Sequence, residues 1–224
     1  MTDGASITER RAEILGRINQ VAEAAGVRAP ELIAVSKVQP DDRILAGLEA
    51  GQTTFGENRV QEAQSRWGER FADRRGNLDL HLIGPLQTNK AKDAVSLFDV
   101  IQTLDREKLA KALLKAADTV GRMPKLMVQV NIGEEPQKAG MIPSEAGAFI
   151  DRLRSEYDLN PEGLMCIPPA TQPAAPHFWR MEKLAQEVGI DQLSMGMSAD
   201  YETAISFGAT HVRVGSALFG ARTG

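Results

Sequence analysis

Leu32-Ile33-Ala34-Val35-Ser36, then Pro40-Asp41-Asp42 and finally Gly51, is the stretch whose reading decides the fold. A short, wholly apolar run fits a strand buried on both faces. Proline and two carboxylates suit the first turn of a helix, where donors lack partners and the dipole favours negative charge, and glycine suits its end. The same unit then recurs. Thr53-Thr54-Phe55 reads as a second strand, and Val60, Ala63 and Trp67 mark the helix after it. Residues 78–83, 100–103, 126–132, 163–167, 192–195 and 211–214 supply further strands. Helical spacings separate them: Leu109, Ala112, Leu113 and Ala116; Phe149 and Leu153; Phe178, Met181, Leu184, Ala185 and Val188; Ala204 and Ile205. Strands alternating with helices pair in parallel, because each crossover helix returns the chain to the same edge. An open doubly wound sheet shares this rhythm, but no Gly-x-Gly-x-x-Gly follows the first strand. Eight repeats favour closure into an α/β (β/α)₈ barrel. Ahead of it, Ser6 and Glu9 have capping-box spacing, and Ile7, Ile14, Leu15, Ile18, Val21 and Ala25 keep helical period up to Gly26. An extra N-terminal helix is expected there.

The 224 residues sit near the lower end for such a barrel, so residues 1–224 read as a single domain. Pro168-Pro169 and the prolines from 173 to 176 mark a long loop after the sixth strand rather than a domain boundary. Hydrophobic residues at 42% and charged residues at 25% exclude a disordered chain. A formal charge of −4, from 26 basic and 30 acidic residues, gives no footing for nucleic acid. No apolar run approaches the roughly 20 residues that cross a bilayer, and the polar start carries no secretory stretch. Cys166 is the one cysteine, which fits a reducing, cytoplasmic setting. His81, His177 and His211 lie far apart with no ligand-like spacing, so no metal site is expected.

Barrels of this kind work at the C-terminal ends of their strands. Lys37 ends the first strand. It either snorkels to solvent or serves as a desolvated amine able to form an imine with a carbonyl. Ser194-Met195-Gly196-Met197-Ser198 follows the seventh strand, and Arg213-Val214-Gly215-Ser216 ends the eighth. The loops after these two strands are common phosphate sites, where glycine admits the anion and N–H groups and hydroxyls bind it. Their plainer readings are Ser198 as the N-cap of a helix over residues 200–207 and Gly215 as a tight turn. A phosphate pocket facing a strand-end lysine implies a phosphorylated carbonyl compound: an aldolase-type substrate or pyridoxal 5′-phosphate. Arg213, one residue inside the strand end, should point into the barrel mouth and needs an acceptor, which a pyridine nitrogen would supply.

The sequence resembles the pyridoxal phosphate homeostasis proteins, single-domain relatives of the alanine racemase N-terminal barrel. The resemblance rests on Ala34-Val35-Ser36-Lys37, Phe55-Gly56-Glu57-Asn58-Arg59-Val60-Gln61-Glu62 and His81-Leu82-Ile83-Gly84-Pro85-Leu86-Gln87-Thr88-Asn89-Lys90. It continues through Val130-Asn131-Ile132, Gly163-Leu164-Met165, Leu193-Ser194-Met195-Gly196-Met197-Ser198-Ala199-Asp200 and Val212-Arg213-Val214-Gly215-Ser216-Ala217-Leu218-Phe219-Gly220. These blocks keep family order from about Leu32 onward. The resemblance implies pyridoxal 5′-phosphate as cofactor, held as a Schiff base on Lys37. It implies that Ser198, Gly215 and Ser216 hold the phosphate, that Arg213 faces the ring nitrogen, and that Asn58 and Met165 line the cofactor. Leu80 departs from the family's usual tryptophan and Ser216 from its common threonine, without removing a required functional group.

The related racemases add a tyrosine from a β-rich second domain. The sequence ends four residues after Gly220, so no such domain is expected, and the tyrosines present are Tyr157 and Tyr201. An arginine stays protonated and should keep the pyridine nitrogen unprotonated, which weakens the ring as an electron sink. The resemblance therefore implies a monomeric carrier and regulator of vitamin B6 levels without catalytic turnover, whose partners are the cofactor and apo enzymes that use it. Two alternatives stay open: a weak racemase or aldolase using Lys37, and a barrel without ligand.

Overall fold

The computed structural model describes residues 6–220 of the chain, so the polar start and the last residues read above lie partly outside it. Eight parallel strands close in sequence order into a barrel. They are β1 (Glu31–Val35), β2 (Thr54–Glu57), β3 (Asp79–Leu82), β4 (Val100–Leu104), β5 (Lys125–Val130), β6 (Gly163–Cys166), β7 (Gln192–Met197) and β8 (His211–Val214). Closure comes from β1 on β8, where Leu32 pairs with Val212 and Ile33 with Arg213. The expected fold is the observed one.

Helices cover the outside: α1 (Ile7–Ala25), α2 (Asp41–Glu49), α3 (Val60–Ala63), α4 (Ala91–Leu97), α5 (Glu107–Val120), α6 (Pro143–Tyr157), α7 (Ala174–Val188), α8 (Tyr201–Ser206) and α9 (Ser216–Phe219). The capping box of α1 forms as its spacing predicts. Ser6 Oγ accepts from the Glu9 N–H at 3.2 Å and the Glu9 carboxylate accepts from the Ser6 N–H at 2.7 Å. Gly26, at φ 67°, ends the helix. Its buried stripe of Ile7, Ile14, Ile18 and Ala22 packs against α2, α8 and α9. On α5, Leu109, Ala110, Leu113 and Ala116 form the buried face.

The larger apolar core lies between the strands and this helical ring. Ala34, Phe55, Leu82, Ile101, Val128, Leu164 and Val212 are buried there with Ile44, Trp67, Leu113, Phe149, Phe178 and Ile205 from the helices. Apolar burial of this kind stabilises by about 25 cal/mol per Å². Inside the barrel, alternate residues are more polar: His81, Gln102, Gln129, Ser194 and Arg213 are all buried.

Gly51 closes α2 as its sequence suggests, in the left-handed region at φ 81° just past Ala50. Two readings are corrected. The loop after β6 ends at Pro173, because Pro176 belongs to the first turn of α7. Its missing N–H has no intrahelical partner to lose there. Finally, α3 continues into a wider π-helical segment, Gln64–Arg70, that buries both Arg66 and Trp67.

Candidate functional site

A cavity of about 560 Å³ opens at the C-terminal ends of the strands. Val35 and Lys37 reach it from the β1 end, Asn58 from β2, Ile83 from β3, Gln129 and Asn131 from β5, and Ile167 from β6. Met197 and Ser198 follow from β7, with Arg213, Gly215 and Ser216 from β8. Six of the seven residues singled out in the sequence therefore share one cavity. The seventh, Met165, is fully buried and does not line it; Ile167, two residues further along the same strand direction, does.

Lys37 is half-buried, two residues past the end of β1. A buried cluster fixes the backbone around it. Glu57 Oε1 accepts from Ser36 Oγ at 2.7 Å, Arg66 Nη1 at 2.6 Å and Trp67 Nε1 at 3.0 Å. Arg66 also donates to the carbonyls of Ser36 at 3.0 Å and Gln39 at 2.8 Å, on either side of the lysine. Burial pushes the Glu57 carboxyl up, while the Arg66 guanidinium opposes it. Next to Lys37, Val38 has φ 56°, which is costly for a β-branched residue, and its N–H is held by Glu62 Oε1 at 2.6 Å. Arg66 in this role was not legible from the sequence, because its signal lies in the widened helix rather than in spacing.

On the opposite wall, β7 and β8 end beside each other. Ser198 Oγ accepts from the Gly215 N–H at 3.3 Å and the Ala217 N–H at 3.4 Å. This corrects the reading of Ser198 as the cap of α8: it serves the N-terminal donors of α9 instead. Asp200 precedes α8, and its Oδ1 accepts from the Met197 N–H at 2.6 Å. A Cβ on Gly215 would lie 3.3 Å from Val35 Cβ, a tight contact that would make that wall shift by a few tenths of an ångström.

Arg213 is buried in the barrel mouth, as expected. Nη1 donates to Ser194 Oγ at 2.7 Å and Nη2 to the Cys166 carbonyl at 2.8 Å. Burial lowers the guanidinium pKa and pushes the Cys166 thiol up to about 12, so the thiol remains protonated. Gln129 Oε1 is buried without a hydrogen-bond partner among the described residues. The sequence reading also missed Lys138, which lines the cavity and donates to the Pro168 carbonyl at 3.3 Å. Neither tyrosine is among the lining residues. Tyr157 bonds Glu107 at 3.4 Å on the helical layer, and Tyr201 borders a separate hollow with Glu13, Arg17 and Glu202. Among the described residues, no three histidine, cysteine or carboxylate side chains gather as metal ligands.

The family model for the alanine racemase N-terminal domain matches residues 11–223. A pyridoxal phosphate homeostasis protein of Pseudomonas aeruginosa is 40% identical over 227 residues, covering 97% of this chain and 96% of its own length. The protein of that name from Escherichia coli K12 is 34% identical over 229 residues, covering 96% and 97%. Among solved structures, PipY of Synechococcus elongatus PCC7942 with PLP bound is similar at a TM-score of 0.82 and 37% identity, covering 96% of this chain and 100% of that one. An alanine racemase of Clostridium difficile 630 shares the fold at a TM-score of 0.68, with 16% identity over 58% of its length.

Proposed function

We propose, for a chain that belongs to the pyridoxal phosphate homeostasis protein family, that it binds pyridoxal 5′-phosphate in the barrel-mouth cavity as a Schiff base on Lys37 and acts as a carrier and regulator of that cofactor. The observation that carries the reading is the meeting of Lys37, buried Arg213 and the Ser198–Gly215–Ser216 wall in one cavity. The group supplies, when bound, an aldehyde carbon for an amine, a pyridine ring and a phosphate dianion.

The donor set suits those three parts. Gly215 keeps the wall open for the phosphate, and Ser198 and Ser216 add hydroxyl donors. Arg213 only donates, so toward a pyridine it holds the nitrogen as an acceptor. Asn58 lines the ring, and buried Gln129 Oε1 offers an acceptor. We keep Met165 in the assignment as packing beneath the cofactor. The amine of Lys37 is held against the ring by the backbone clamp of Glu57, Arg66 and Glu62. We take residues 1–224 as one barrel acting as a monomer in the cytoplasm, handing cofactor to apo enzymes; no helix among the described residues is long and apolar enough to cross a membrane.

The test is reduction of the loaded protein with borohydride, digestion and location of the pyridoxyl mass. The label belongs on Lys37, and a label confined to Lys90 or Lys138 overturns the assignment. We also propose that the loaded protein does not turn over amino acids at rates typical of enzymes, roughly 1–10³ per second. Arg213 weakens the ring as an electron sink, and the tyrosines stand away from the cavity. Incubation with L-alanine in heavy water should retain chirality. Fast inversion would require a second base and withdraw the carrier reading.

A further inference from the structure

Beneath the cavity, four strands send polar side chains into one continuous file. Arg213 donates to Ser194 Oγ at 2.7 Å, and Ser194 Oγ donates to Gln102 Oε1 at 2.7 Å. Gln102 Nε2 lies 2.7 Å from His81 Nδ1. His81 Nε2 lies at ion-pair distance, 3.4 Å, from Asp79 Oδ1, and neither of these two buried atoms has a geometrically formed hydrogen bond among the described residues. The file runs from β8 through β7 and β4 to β3. Gln102 sits where β4 slips register against β5, between Ile101 and Leu104, an irregularity that re-aims side chains.

The direction of every proton in the file is set by its ends. An arginine only donates, so one lone pair of Ser194 Oγ is taken at the top. A carboxylate only accepts, so the His81 proton belongs on Nε2, and the His81 contact is the first cause of the low pKa of Asp79. Gln102 presents Nε2 to His81 Nδ1, which accepts in the tautomer whose proton is on Nε2, and Oε1 to Ser194. The Ser194 proton accordingly points down to Gln102, and its lone pairs point up to the guanidinium. All dipoles align between a cation and an anion, the arrangement in which linked hydrogen bonds strengthen one another.

We propose that Gln102 is a positioning residue for Arg213, holding the guanidinium at the cavity floor through Ser194. The inference rests on the reading of the cavity as a pyridoxal phosphate site. Gln102 is fully buried and is not among the lining residues, so its effect on a bound ring passes through Arg213.

The first measurement uses the unloaded wild-type protein and nitrogen-15 NMR of His81. The tautomer with its proton on Nε2 and a bare Nδ1 is expected; a proton on Nδ1 breaks the direction of the file and overturns the proposal. The second uses Gln102→Leu and Ser194→Ala loaded with pyridoxal 5′-phosphate. Both should release it about tenfold faster than wild type, as loss of one net hydrogen bond in the file implies, and both should shift the absorption maximum of the bound cofactor. In an Arg213→Gln background, Gln102→Leu should add nothing further to either readout. Lower thermal stability with an unmoved absorption maximum would leave Gln102 a packing residue only. If Gln102→Leu does not fold, Ser194→Ala decides, since it breaks the link to Arg213 while leaving Gln102 against His81. Wild-type protein that takes up no pyridoxal 5′-phosphate would sink the reading of the cavity, a result distinct from unchanged spectra in the variants.

Discussion

At the scale of single residues, some side chains of the site already serve the fold before a ligand arrives. Ser198 shows how. Its hydroxyl oxygen accepts two backbone N–H groups at 3.3 and 3.4 Å, which are long for such bonds. A phosphate oxygen competes well for the same donors because a charged acceptor shortens and strengthens them. If these hydroxyls hold the phosphate as proposed, removing that of Ser198 or Ser216 deletes one bond to a charged group, roughly 1.5–3 kcal/mol at most. Ser198→Ala and Ser216→Ala should therefore retain pyridoxal 5′-phosphate less well than wild type, while pyridoxal, which lacks the phosphate, is much less affected. Equilibrium dialysis of both ligands checks this. Equal losses would mean that Ser198 only caps α9 and that neither hydroxyl serves the phosphate.

At the scale of elements, what was legible followed from periodicity, and what was missed depended on contacts distant in sequence. Strands such as Leu32 to Val35 announced themselves because both faces are buried, and α1 because its cap and stripe are local. Ser198 could not be assigned locally: whether it caps α8 or α9 depends on how β7 and β8 lie together. Arg66 was hidden for the same kind of reason, since its partners Glu57, Ser36 and Gln39 come from other elements. That Met165 lies beneath the cavity while Ile167 lines it was not legible either, because alternation fixes the face of a strand but not the height of the cavity floor. Gly196 joins two elements directly. It has φ 89°, and a Cβ there would lie 2.6 Å from Ala204 Cβ and 2.9 Å from the Tyr201 backbone. Gly196→Ala should push α8 off β7 and cost about 1–3 kcal/mol from left-handed strain and overpacking. Urea denaturation measures it, and an unchanged midpoint would show that α8 yields freely.

At the scale of the whole molecule, the two ends of the barrel divide the work, with the cavity at one and a titratable cluster at the other. The eight-fold repeat made the barrel legible, but the polar character of its interior was not, because His81, Gln102 and His211 sit in separate strands with no shared motif. His211 is the sharpest case. Burial, then the nearby His81 ring at 5.8 Å, lowers its pKa to about 4, and the Asp79 carboxylate only partly offsets this. In the unfolded chain the same imidazole takes up its proton near the ordinary histidine value. Between those two values the unfolded state binds more protons than the folded one, so stability rises with pH across that window. The stabilisation is fully present above the ordinary histidine range and is lost as pH falls to about 4, on the order of 3 kcal/mol. Asp79, held low by His81, adds a second loss that begins only below the ordinary carboxylate range. The two windows follow one another, and they separate experimentally. Unfolding free energy from urea titrations should decline from about pH 6.5 to 4 in the wild-type protein. His211→Gln, which cannot take up a proton, should flatten that part of the profile and leave the steeper acid limb. A wild-type profile already flat over that range would mean that His211 protonates in the folded barrel as readily as in water, and that the N-terminal end is open to solvent rather than sealed.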